Sequence, residues 1–274
     1  MATLLLRLSL IATSLLFAGA AWAHDTWFEP LPAARPGEVR LALGTGNRFP
    51  RHEFTVGEAS LREQGCRRAA AKAVPLRVTG ETVQALTLAA RPGGVGPVTC
   101  WAQQQPFEIE IAPATVEVYL KEVNASPDVR AAWAELQARG LPWRERYAKH
   151  ARIELAGRHS SSDTATPTAM AMDVLMESGL QPLAAGDTVR FQVLRDGQPL
   201  PGLAVELQND QSPLGFWKKT DAEGRVSFLV PIEGQWLLRG TDLRLSPSVP
   251  NTWDSRFVTL TFRVGPGVRA SPQR

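Results

Sequence analysis

Short runs in which apolar and polar residues alternate constrain this chain more than any other feature. In "EVRLALG" the residues Val39, Leu41 and Leu43 share one side. In "PFEIEIAP" Phe107, Ile109 and Ile111 alternate with Glu108 and Glu110. In "HARIELAG" Ala151, Ile153 and Leu155 oppose His150, Arg152 and Glu154. A period of two is the period of a β-strand with one face buried. The chain has 22 glycines and 21 prolines in 274 residues, enough to punctuate many short strands. Helix-period stretches are few, so the pattern predicts an all-β fold.

The first residues read as an export leader. Met1 to Ala23 holds one charge, Arg7, then an apolar stretch too short to span a bilayer comfortably, then Ala21-Trp22-Ala23 with small residues where a signal peptidase reads. Cleavage after Ala23 leaves a mature chain without a membrane span, placed in the periplasm or secreted. Cys66 and Cys100 make up the whole cysteine complement. In an exported chain an even count predicts a disulfide, worth roughly 3–4 kcal/mol in the chain-entropy model. The formal net charge is +3, and no basic block is interleaved with aromatics, so nucleic-acid binding finds no support.

Along the chain the runs divide into five segments: a signal peptide (1–23), an N-terminal β-sandwich (24–113), a helical arm (114–149), a C-terminal β-sandwich (150–265) and a disordered tail (266–274). In the arm, "TVEVYLKEV" predicts a short helix. Ser126-Pro127 offers an N-cap with proline behind it, and "DVRAAWAELQAR" runs from there to a stop at Gly140. Pro142 predicts a further short helix over "PWRERYAKH". "RHSSSDTATPT" predicts a loop. In the C-terminal part, Asp196-Gly197 marks a hairpin turn. "GQPLPG" followed by "TDAEGRVSF" resembles a transthyretin-like or carboxypeptidase-regulatory-like sandwich.

Histidines carry the chemistry available to such a chain. Cleavage after Ala23 would free the amine of His24, and an N-terminal histidine chelates a metal through that amine and a ring nitrogen. The amine's ordinary pKa is about 7.7–8.0, so a transition metal can displace its proton near neutral pH. His150 is the first candidate to complete such a site and His159 the second, with His52 behind them. The bland alternatives are an accident of cleavage for His24, a hydrogen-bonding role for His150 and an adventitious ligand for His159. No HExxH, GxSxG or phosphate-loop motif is present, so no classical hydrolase is expected. Trp27, Trp101, Trp217, Trp236 and Trp253 would form a glycan- or peptide-binding face if exposed and core packing if buried.

Taken in order, the opening "HDTWFEP", the arm "VYLKEV…RERYAKHARIELAG", the sandwich "LRDGQPLPGLAVELQ…TDAEGRVSFLVPIEGQWLLRG" and the closing "WDSRFVTLTFRV" resemble the exported domain-of-unknown-function family 4198. The resemblance implies a periplasmic two-sandwich protein with a part in nickel or cobalt uptake, acting beside a transporter at the inner membrane. The family's His-x-x-Trp start maps onto His24 and Trp27. Two further family histidines have no counterpart, because this chain carries Gly44-Thr45-Gly46-Asn47 and Gly240-Thr241-Asp242 at those places. The expected metal ligands are therefore His24, His150 and His159, for nickel or cobalt. The chemical rival is copper in a histidine brace, which would make the chain an oxidative enzyme. A metal-free envelope protein that binds protein or glycan is the structural alternative.

Overall fold

The computed structural model describes residues 24–157 and 165–267. The expected signal peptide, His159 and most of the expected tail lie outside the described residues. Strands β1 (Asp25–Leu31), β2 (Val39–Gly46) and β3 (Phe54–Thr55) lead to a 3-10 turn at Glu58–Ser60. Next come β4 (Leu61–Arg68), β5 (Val74–Pro75), β6 (Arg77–Glu81), β7 (Ala85–Ala90), β8 (Val98–Gln104) and β9 (Phe107–Ile111). Helices α1 (Pro113–Glu122) and α2 (Pro127–Ala138) form the arm, followed by the long strand β10 (Trp143–Leu155). The remainder is β11 (Met172–Met176), β12 (Leu183–Ala184), β13 (Thr188–Arg195), β14 (Gln198–Pro199), β15 (Ala204–Asn209), β16 (Ser212–Lys219), β17 (Arg225–Leu229), β18 (Gly234–Leu245) and β19 (Thr252–Gly265). The fold is all-β, with two short helices among the described residues. None of the described helices is long and apolar enough to cross a membrane.

Two sandwiches are present, and they share one sheet. The shared sheet runs β16-β15-β18-β19-β10-β8-β4-β5, with β9 and β12 at its margins. A sheet of β1-β2-β7-β6 covers its N-terminal half, and a sheet containing β11, β13, β14 and β17 covers its C-terminal half. Phe28, Leu41, Leu43, Leu86 and Leu88 pack against Cys66, Cys100, Ala151 and Ile153 in the first core. Val189, Phe191, Val193 and Phe228 pack against Val205, Leu238, Leu260 and Phe262 in the second. The join is a parallel pairing of β10 with β19, from Arg144↔Thr252 to Ile153↔Thr261. Cys66 and Cys100 are directly opposed on β4 and β8 and form the expected disulfide.

The arm is shorter than the sequence predicts. Both helices form as expected, with the Ser126 hydroxyl accepting from the Val129 amide and Gly140 taking a positive φ of 71° after α2. The predicted helix over "PWRERYAKH" is instead the first half of β10, so the boundary expected at 149/150 falls inside a strand. Trp143 explains the outcome. It stacks on Trp253 with centroids 4.5 Å apart and meets Trp133 edge-on at 5.3 Å, burying the arm's helices against the sheet. Tertiary burial of that aromatic face overrides the local helix propensity of Arg, Glu and Ala.

Candidate functional site

His24 immediately precedes β1, and the rest of the molecule fixes its backbone. Thr259 and Thr261 of β19 donate their hydroxyls to the carbonyls of Thr26 (2.6 Å) and Phe28 (3.1 Å). Asp25 accepts from the Arg239 guanidinium at 2.8 Å, and Arg239 also binds Glu206 at 2.6 Å and donates to the Glu122 carbonyl at 3.1 Å. Trp27 is buried against Phe49 and Leu237. The start of β1 is therefore a strap tied to both sandwiches and to the arm.

The His24 side chain retains 19% of its exposure and sits between Glu53 and Phe54. Its Nε2 lies 3.9 Å from Glu53 Oε2, and its ring meets Phe54 edge-on at 5.4 Å. The Asn47 amide donates to the same Glu53 oxygen at 3.2 Å. These residues meet because β1 and β2 pair with Asp25 opposite Gly46, which brings the loop after β2 beside the strand's start. Burial and then the Lys149 charge hold the His24 pKa below its usual 6.5, against the opposing pull of Glu53 and Asp25. The imidazole is thus neutral, the form that binds metal, at neutral pH. Lys149 Nζ sits over the rings of Tyr147 (5.6 Å) and Phe257 (5.9 Å), and burial pushes its pKa down to about 8. Its positive charge opposes a cation at His24, while Glu53 and Asp25 favour one.

His150 belongs to a different environment. Neighbouring side chains on β10 point to opposite faces. Lys149 acts on His24, whereas the charged groups around His150 are Arg256, Asp173 and Asp196, so the two histidines have no charged neighbour in common. His150 is 1% exposed, with Nδ1 2.9 Å from the Phe257 carbonyl and Nε2 buried without a partner. Burial pushes its pKa down to about 4. His52 is also buried, its Nε2 at 3.2 Å from the Trp27 carbonyl and its pKa pushed down to about 4 by burial. Among the described residues no group of three or more His, Cys, Asp or Glu side chains is gathered as a metal cage. The described residues therefore do not assemble a four-ligand closed site of the structural-zinc kind.

Sequence reasoning singled out His24 but missed Glu53, Asn47 and Lys149. Counting residues along the β1–β2 and β2–β3 registers is the signal that would have found the first two. Of the five tryptophans considered as a binding face, Trp27, Trp101, Trp236 and Trp253 are buried. Trp217 is half-buried, with the Arg239 guanidinium 5.4 Å from its ring centre.

No curated protein matches this chain. Among solved structures, the D0-D1 domain of Intimin is similar at 10% identity over 86% of this chain and 97% of that one, with a TM-score of 0.20, a value that carries no argument about fold. The sequence model of a domain of unknown function, DUF4198, matches residues 21–241, most of the strands and both helices described above. The chain belongs to the DUF4198 family.

Proposed function

We propose that this chain is an exported, periplasmic accessory protein that captures a divalent transition metal at the histidine released by signal cleavage. The observation that carries the reading is the His24 ring, neutral and partly open, beside Glu53 on a strand start tied down by Asp25 and Arg239. The freed amine and a ring nitrogen would supply two donors, and solvent or a receiving protein the rest. An open shell suits capture and transfer better than storage. Nickel or cobalt is the cargo suggested by the family resemblance, and an inner-membrane uptake transporter is the corresponding recipient. Copper remains the chemical rival, because an amine–imidazole chelate suits it well.

The test is metal binding by the exported protein, after mass spectrometry of its N-terminus. Wild type should bind one nickel, cobalt or copper ion per chain. His24→Ala, or a chain with one extra alanine before His24, should lose that affinity while keeping its fold. Equal and sub-stoichiometric metal in all three proteins would sink the reading.

A further inference from the structure

We propose that Glu53, steadied by Asn47, is a positioning residue that holds the proton of the His24 ring on Nε2 and leaves Nδ1 bare for the chain terminus. The inference rests on the metal-capture reading for its purpose, but its structural content is independent of metal. The ring's ion-pair contact is made through Nε2, which lies 3.9 Å from Glu53 Oε2. The carboxylate is held in turn, since the same oxygen accepts from Asn47 at 3.2 Å. The Glu53 amide bonds the Thr45 carbonyl at 2.8 Å, which fixes the backbone beneath it. Phe54, next in the chain, packs its ring edge-on against the imidazole and limits its rotation.

A chelate with the terminal amine must use Nδ1, because only that nitrogen can close a ring with the main-chain nitrogen of the same residue. Nε2 then has to carry the proton, and an acceptor on Nε2–H fixes that tautomer. A carboxylate in this position also raises the basicity of the metal-binding nitrogen, and removing such a partner typically lowers metal affinity 10–100-fold. Glu53 thereby acts through His24, without itself needing to touch the ion.

The experiment compares wild type, Glu53→Leu and Glu53→Gln, each exported, processed at His24 and labelled with ¹⁵N-histidine. Nitrogen chemical shifts of the metal-free proteins, read where the ring is neutral, report the tautomer; nickel(II) titration reports affinity. Wild type should show His24 protonated on Nε2. The leucine variant should shift toward the Nδ1–H form and bind nickel on the order of 10–100-fold more weakly. The glutamine variant retains an acceptor oxygen and should stay within a few-fold of wild type in both readouts. An unchanged tautomer in Glu53→Leu overturns the inference even if all three proteins bind nickel. So does an equal loss in the glutamine and leucine variants, which would assign Glu53 a charge role only. A tautomer that depends on Glu53 in proteins that bind no metal supports the positioning role and removes the capture reading instead.

Discussion

At the scale of single residues, the side chains that alternate outward in "HARIELAG" are the most informative. The polar face of that strand is buried, because a second sandwich covers it. Arg152 is fully buried and holds Asp173 at 2.9 Å and Glu154 at 2.6 Å; Thr99 adds a hydroxyl to Glu154 at 2.6 Å, and the Thr168 amide and hydroxyl satisfy Asp173. Such a network contributes little net stability when whole and is strongly destabilising when one partner is removed. Arg152→Leu should therefore lower the free energy of unfolding by about 3–5 kcal/mol, measured by urea denaturation. A loss below about 1 kcal/mol would show that the two carboxylates find other partners. His150 and His52 add a pH dependence of defined sign. Each has a folded pKa of about 4, below the ordinary 6.5, so each is neutral when folded and must protonate on unfolding in acid. Their contribution is fully present above pH 6.5 and is lost as pH falls toward 4, up to about 3 kcal/mol for each. Denaturant midpoints should fall across that window, and His150→Gln should flatten the slope. A slope unchanged in that variant would contradict the assignment.

At the scale of elements, the legible strands were those whose two faces differ. In β2 the buried Val39, Leu41 and Leu43 alternate with residues that the pattern marks as outward, and the strand forms as expected. The Asp196-Gly197 turn was legible for a local reason, since both residues take positive φ, 51° and 74°. The first half of β10 was not. Trp143, Glu145, Tyr147 and Lys149 share one side, yet Glu145 and Lys149 carry charges that hide the period. Glu145 is nonetheless buried, accepting from Tyr119 (2.8 Å) and Trp143 (2.7 Å), and that burial raises its pKa. Polar residues buried by partners distant in sequence cannot be told from solvated ones by periodicity. For the same reason His24 could be singled out by its place in the chain, but its neighbours Glu53 and Lys149 could not. The helix signals, by contrast, were local and sufficient. Ser126 caps α2, which seats Trp133 and Leu136 on the aromatic cluster. Ser126→Ala should cost about 1 kcal/mol of stability. An unchanged melting midpoint would mean that packing alone holds the start of α2.

At the scale of the whole molecule, two cores are built on one continuous sheet, and this bears on how the protein unfolds. The long strand β10 contributes Ala151 and Ile153 to the first core, and its parallel partner β19 contributes Val258, Leu260 and Phe262 to the second. The chain crosses between the sandwiches in both directions. β1 begins in the first and is bonded to Thr259, Thr261 and Arg239 of the second, while β19, near the end of the described chain, pairs with β10 and through it with β8. Neither core can open without exposing the partner strand of the other. Calorimetry should therefore give a single transition whose van't Hoff and calorimetric enthalpies agree. A residue 165–267 fragment, deprived of β10 and of the β1 strap, should fail to fold. Two separable transitions, or a stably folded fragment, would show that the sandwiches are independent domains. Their independence would also remove one of the two sets of ties that fix His24. The start of β1 pairs with β2 of the N-terminal sandwich, which also carries Glu53, and is bonded besides to Thr259 and Arg239 of the C-terminal one, so the full set of ties that holds His24 3.9 Å from Glu53 exists only while the two move as one body.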